Sequence, residues 1–309
     1  MKIALLGIWH VHAADYLKKA RENGAEILGA WDPDKKMLED FCEKYDVKAF
    51  TSREEMLLSP ADGVICCSST DRHKEDLIAA AEAGKNIFTE KVLALTSEEC
   101  EAIDSAVKKA GVRFVISLFQ KSLPQHITAK KLADEGKIGK INYFRFRNCH
   151  NGSTGNWLPE HFFRLSQCGG GAMIDLGAHG MYLLDWFLGL PESGKSVFTI
   201  ADTNPRNIDS LEDNAVSVFA YKDGCIGINE TGFDTVGCPA RLEIGGEKGY
   251  IVAEGECVTL DNGNGPEAVS LEASEPLPIV QFVTGAILPG YGMEEAKHLT
   301  KLMEMAYKK

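Results

Sequence analysis

Short apolar, β-rich runs alternate with stretches of helical period through the first third of the chain. Runs at 3–6, 25–31, 47–50, 63–67, 86–89 and 113–118 read as strands, and 13–23, 34–44, 52–58, 72–83 and 97–110 read as helices. The last of these helices opens with Thr96 and carries Glu99 three residues on, a capping box. Strands that alternate with helices build a parallel sheet covered on both faces, so six strands joined this way predict a Rossmann-type α/β sheet.

After residue 118 the rhythm changes. Pro124 opens a helix to about residue 134, and 141–147 alternates like a strand with one wet face. Glycine-rich sequence leads into an apolar helix over 173–188, strands follow at 215–221, 225–231, 240–245 and 250–253, and a final helix spans 294–307. Lys222, Asp223 and Gly224 lie between two of these runs and predict a hairpin turn. This half is α+β with a mainly antiparallel open sheet. Two domains are expected, 1–120 and 121–309, with the last helix able to pack back on the first.

Composition narrows the partners. With 309 residues, 44% of them hydrophobic, the chain can bury a sizeable core. Its formal charge of −12 is spread along the sequence, which disfavours nucleic acid and anionic membrane surfaces and leaves a small molecule as the expected ligand. Nine cysteines without a regular framework fit reducing cytosol. The apolar N-terminal run is short for a signal core, and no run approaches a membrane span.

Three segments carry candidate chemistry. In GIWHVHA a single glycine, Gly7, closes the first strand where a dinucleotide fingerprint would show three; the other two positions hold Trp9 and His12. The helix that follows can point its N-terminal amides at a phosphate. Asp32 ends the second strand, where an acid either binds the adenosine ribose diol, favouring NAD over NADP, or caps the next helix within Asp-Pro-Asp. Glu90 and Lys91 end the fifth strand, at the sheet edge where α/β proteins bind ligands; a solvated ion pair is the alternative. In CGGGAMIDLGAHGMYLLDWFLG, Asp175 and His179 are four apart and share one helical face, continued by Tyr182 and Trp186. The rest of that helix is apolar nearly all round. Burying an Asp and a His there requires that they pair with each other or face a cavity, and a carboxylate beside an imidazole suits a general base. Gly177 and Gly180 within the helix suggest that something packs or binds closely against it.

Together these segments resemble the Gfo/Idh/MocA oxidoreductase family over almost the whole chain: LLGIWHVHA, Asp32, GVICCSSTDRH, AGKNIFTEKV, GKIGKI and GGGAMIDLGAHGMYLLDWFLG. The resemblance implies an NAD(P)-dependent oxidoreductase of sugars, cyclitols or their derivatives. Its Rossmann domain holds NAD, NADP being less suited, and its second domain covers the site and commonly joins subunits into a homodimer or homotetramer. By motif, Lys91 corresponds to a lysine that contacts substrate and nicotinamide. Asp175 and His179 correspond to the acid-histidine pair in which the histidine takes the hydroxyl proton. Gly7, Trp9, His10, Asp32, Thr70, His73, Glu90 and Lys91 are then the expected cofactor contacts.

Departures accompany the likeness. Trp9 replaces the glycine of closest backbone approach, so it either lies against the nicotinamide side of the pyrophosphate or weakens cofactor binding. His10 and His12 match a His-x-His found in some branches of the family. Val92 replaces a proline, which removes the easy cis peptide after Lys91. Lys121 stands near a position where the family often has Arg. Substrate recognition is expected in 148–167, with Trp157, His161 and Arg164 joining Lys91, Asp175 and His179. Cys149, His150, His161 and Cys168 can be drawn as a zinc set, but their spacing fits no tight Cys-x-x-Cys pattern, and no metal is expected. Besides a dehydrogenase, the sequence leaves open an NAD-retaining, glycoside-cleaving relative and a non-catalytic sugar sensor.

Overall fold

The computed structural model describes residues 1–201 and 204–308. The chain divides into two compact units, one formed by Met1–Ser117 with Pro276–Thr300 and the other by Leu118–Glu275 with the last residues from Lys301.

The first unit is built on a parallel sheet of β1 (Lys2–Leu6), β2 (Glu26–Trp31), β3 (Gly63–Cys66), β4 (Asn86–Thr89) and β5 (Phe114–Ile116), in the order β2-β1-β3-β4-β5. Helices α1 (Ala13–Glu22), α2 (Lys35–Tyr45), α3 (Arg53–Leu58), α4 (His73–Glu82) and α5 (Ser97–Ala110) connect the strands. Ile3, Ala4, Leu5 and Leu6 are fully buried, as expected of a strand with helices on both faces. The sheet has five strands, not the six expected. Residues 47–50 form only an isolated bridge from Ala49 to Ala30, because Lys48 and Ala49 stay exposed and no further strand extends the edge. The capping box at α5 is present, with Thr96 accepting the Glu99 N–H at 3.2 Å.

This unit also takes residues 276–300 from far along the chain. In that segment Pro278–Thr284 forms a helix whose Phe282 is fully buried, 5.9 Å from the Phe88 ring of β4. The Ile116 N–H of β5 donates to the Tyr291 carbonyl at 2.9 Å.

The second unit is an open sheet of eight strands: β6 (Ile141–Cys149), β7 (Ser193–Thr199), β8 (Asn214–Ala220), β9 (Ile226–Gly232), β10 (Arg241–Gly246), β11 (Gly249–Glu254), β12 (Cys257–Asp261) and β13 (Glu267–Val269). The order is β13-β12-β11-β10-β6-β9-β8-β7, antiparallel throughout except for the parallel pair β6 and β9. β7, β12 and β13 go beyond the sequence expectation, since their polar and short runs carry weak strand signals. Helix α6 (Pro124–Asp134), the short α7 (Leu165–Cys168) and α8 (Ala178–Leu188) complete the described elements that bear on the site. Among the described residues, no helix is long and apolar enough to cross a membrane.

Candidate active site

In the first unit the carboxyl ends of β1, β2 and β4 gather most of the residues expected to hold a cofactor. Gly7 turns the chain out of β1 with φ +77°, and a Cβ there would sit 2.5 Å from the Ser68 backbone, so only glycine permits this turn. Asp32 is 5% exposed and ties the turn to β2: its carboxylate accepts the Ile8 N–H and the Asp34 N–H, each at 2.8 Å. Helix capping falls instead to Asp34, which accepts from Met37 at 3.0 Å. Burial pushes the Asp32 carboxyl up, opposed by the two backbone N–H donors. Beside it lies a cavity of about 690 Å³ lined by Trp31, Asp32, Lys35, Arg53, Arg72 and other residues, within the range of a nucleotide-sized pocket. The charged lining is mixed: Lys35, Arg53 and Arg72 stand with Asp32, Glu39, Glu54 and Glu75, and Arg53 is paired with Glu75 at 2.6 Å and Asp76 at 2.9 Å.

Trp9 and His10 are both buried, at 9% and 6% exposure. Glu90, 1% exposed, draws His12 Nδ1 to 2.7 Å and His10 Nδ1 to 3.5 Å of its Oε1, and also accepts a short bond from the Tyr16 hydroxyl. Burial by itself would raise the Glu90 carboxyl, but His10, His12 and Lys91 hold it well below the usual range. Lys91 is 5% exposed, and its N–H donates to Glu90 Oε2 at 3.0 Å. The Lys91–Val92 peptide is cis, so the valine has not removed the bond geometry that a proline would favour.

Thr70 begins a short 3₁₀ turn, and His73 follows at the start of α4. His73 is 1% exposed and braces two strand ends: its Nδ1 faces the Val92 and Leu93 carbonyls at 2.9 and 3.2 Å, and its Nε2 faces the Ser68 carbonyl at 3.1 Å.

In the second unit, Met173–Gly177 is a π-helical turn that runs directly into α8. The wider turn disturbs the regular ladder, and the protein supplies partners for its amides. Glu212 Oε1 accepts the Gly171 and Met173 N–H groups at 2.9 and 3.1 Å, and the Tyr307 hydroxyl accepts the Ile174 N–H at 3.1 Å. Asn229 of β9 donates to the Gly177 carbonyl at 2.8 Å. The close approach expected at Gly177 and Gly180 is packing: a Cβ on Gly180 would overlap Asn229 Oδ1 and crowd Phe146.

This turn sets Asp175, half-buried, one turn ahead of His179, which is 4% exposed. His179 Nδ1 lies 2.9 Å from the Tyr182 hydroxyl, and that oxygen also accepts the Gln120 N–H at 3.1 Å. The Phe119 ring meets the imidazole edge-on at 5.0 Å between centroids. Lys121, 5% exposed, places its ammonium 5.4 Å from the Trp186 ring. No sequence signal marks Gln120 as a support of Tyr182, or Glu212 and Asn229 as supports of the π turn, because these pairs are joined only through tertiary contacts.

The expected recognition segment is mixed in exposure. Trp157 is 52% exposed, with its Nε1 donating to Asn151 at 3.2 Å and its ring 4.5 Å from that of His150. His161 lies in a 3₁₀ turn, and Arg164 is engaged by Glu160. Among the described residues, the one convergence of potential metal ligands is His10, His12 and Glu90; the Cys149, His150, His161 and Cys168 set does not form one.

A parallel sheet with a glycine turn and an acid-lined cavity, on the same chain as an open sheet that carries a buried histidine helix, defines a nucleotide-dependent enzyme of two domains. Residues 1–118 match the model of an oxidoreductase family with an NAD-binding Rossmann fold, and residues 126–252 match the GFO/IDH/MocA C-terminal domain. The chain belongs to this oxidoreductase family, and NAD is its cofactor. It is 26% identical to a myo-inositol 2-dehydrogenase of Thermotoga maritima over 82% of this chain and 75% of the relative. A scyllo-inositol 2-dehydrogenase (NAD(+)) of Bacillus subtilis is 28% identical over 74% of this chain and 66% of the relative. Among solved structures, a levoglucosan dehydrogenase in complex with NADH and levoglucosan shares the fold, with a TM-score of 0.83 and 19% identity over 99% of this chain and 95% of that one.

Proposed function

We propose that the protein is an NAD-dependent dehydrogenase that moves hydride between a CH–OH carbon of a sugar, cyclitol or glycoside and the nicotinamide. The observation that carries this reading is His179, a buried imidazole whose Nδ1 is engaged by Tyr182. Engagement of one ring nitrogen fixes the ring, and the reading gives the other, Nε2, the substrate hydroxyl proton. Asp175 supplies the negative charge that favours the protonated imidazole. Lys91 donates from its ammonium to the reacting hydroxyl. Bound NAD supplies the hydride acceptor. Gly7, Trp9, His10, Asp32, Thr70, His73 and Glu90 build its site, with Asp32 on the ribose diol and NAD preferred over NADP. Trp157 offers an apolar face to a sugar ring, and His161 and Arg164 offer donors to its hydroxyls. The two inositol dehydrogenases among its relatives support a polyol substrate.

The reading extends to self-association and location. On β8 the outward positions Val216 and Val218 are 39% and 44% exposed, beside Val197 at 68% on β7, an apolar face that supports a homodimer or homotetramer through this sheet. Val218→Glu should shift the oligomer to monomer in light scattering. Nine cysteines present as thiols support a cytoplasmic location.

The test is formation of NADH from a panel of cyclitols, aldoses and glycosides, repeated with His179→Ala. The variant should lose turnover by about 10²–10⁴-fold while NADH affinity stays within about twofold, as removal of a general base requires. Unchanged turnover would remove His179 from the reaction, and the absence of NADH formation with every polyol tested would overturn the dehydrogenase reading.

A further inference from the structure

In the turn after β1 two histidines, His10 and His12, converge on the buried Glu90 carboxylate. From this geometry we propose that His10, His12 and Glu90 form a binding site for a divalent transition metal of the zinc class. Their ligand atoms all lie within 4.8 Å of one another. Two imidazoles and one carboxylate form a donor set suited to zinc and iron(II), and hard-cation sites built from oxygen alone lack such nitrogens.

The three ligand atoms are held by bonds that a metal would replace. His10 Nδ1 accepts the His12 N–H at 3.2 Å, and its single lone pair has to leave that N–H to turn to a metal. The same Nδ1 faces Glu90 Oε1 at 3.5 Å.

The distances fit once His10 turns from the His12 N–H and His12 shifts slightly. Two ligands that each bind zinc at about 2.1 Å in a tetrahedron are about 3.4 Å apart. The His10 and Glu90 pair already has that separation, at 3.5 Å. His12 Nδ1, hydrogen-bonded to Oε1 at 2.7 Å, has to draw back by about 0.7 Å. Its side chain is 32% exposed, against 6% for His10 and 2% for Glu90, so the ligand that must draw back is the one with room to do so.

An outer layer is in place as well. The Tyr16 hydroxyl bonds Glu90 Oε1 and lies 2.7 Å from Ser117 Oγ, and the Lys91 N–H holds Oε2 at 3.0 Å, which leaves Oε1 turned to the histidines. The accessible side of His12 gives an ion its entry path and a position for water or a ligand oxygen.

The experiment uses the full-length protein, cleared of nucleotide and treated with chelator, and titrated with Zn²⁺ by calorimetry and with Co²⁺ by visible absorption. Because no nucleotide or substrate is present, the outcome is independent of the dehydrogenase reading. One ion per chain is expected, with a Co²⁺ spectrum without thiolate charge-transfer bands, a necessary control in a chain with nine cysteine thiols. His12→Ala and Glu90→Gln should each weaken binding at least about tenfold, and Tyr16→Phe, which alters only the outer layer, by about tenfold. His12→Ala is the decisive variant should Glu90→Gln fold poorly, since the His12 side chain is partly exposed. Binding of less than one ion, thiolate bands, or unchanged affinity in His12→Ala would overturn the proposal.

Discussion

Replacing Asp32 by Asn separates two roles that this carboxylate combines. Asp32 accepts the Ile8 and Asp34 N–H groups, both at 2.8 Å, and is 5% exposed. The amide of Asn has one acceptor oxygen, so one bond survives and its NH₂ group is set against the remaining N–H. Loss of a charge-assisted bond with a buried donor left unpaired should cost about 1.5–3 kcal/mol of stability. Cofactor choice should change further. Each of the two ribose hydroxyls that trades a carboxylate for a neutral acceptor loses about 1–1.5 kcal/mol, so NADH binding should weaken roughly 30–140-fold. NADPH should weaken less than NADH, because the Asp32 charge that opposes its 2′-phosphate is gone, while Lys35, Arg53 and Arg72 line the cavity together with Glu39, Glu54 and Glu75. Tryptophan quenching is a suitable assay, with Trp31 adjacent to Asp32 in that cavity. An NADH to NADPH preference that moves less than about threefold would refute the ribose assignment. An unchanged denaturant midpoint would refute the structural part of the argument.

Gly180→Ala should destabilise the protein despite the better helix propensity of alanine, because the added methyl overlaps Asn229 Oδ1 and crowds Phe146. Overpacking of about 1–3 kcal/mol corresponds to a melting point lower by roughly 2–8 °C, and a higher one would refute the packing argument. Acid should weaken the fold through buried neutral histidines. Burial pushes His126 down to about 4, and His73 is lowered for the same reason. Below about pH 6.5 the unfolded chain takes up protons that the folded chain refuses, so stability present at neutral pH is lost as the pH falls from about 6.5 towards 4. The His126 share at pH 5 is on the order of 2 kcal/mol, and a melting temperature that stays flat from pH 7.5 to 5 would contradict it.

The sequence alone determined the elements whose reasons are local. Continuous apolar runs gave β1, β3 and β4, Thr96 and Glu99 gave the start of α5, and Lys222 to Gly224 gave a hairpin. Tertiary structure decided whatever depends on partners distant in the chain. It reduced 47–50 to a single bridge, since a short run with an exposed centre becomes a strand only where an edge receives it. It brought 276–300 into the first unit through Phe282 and Tyr291, whose burial leaves no periodic signature. It turned the start of the histidine helix into a π turn whose amides are answered by Glu212 and Tyr307 from later in the chain. It also set Glu90 beside His10 and His12, about eighty positions away. A sequence records which groups are present and how often they recur, whereas the meeting of a carboxylate with two imidazoles follows from how parallel strands stack, which periodicity does not encode.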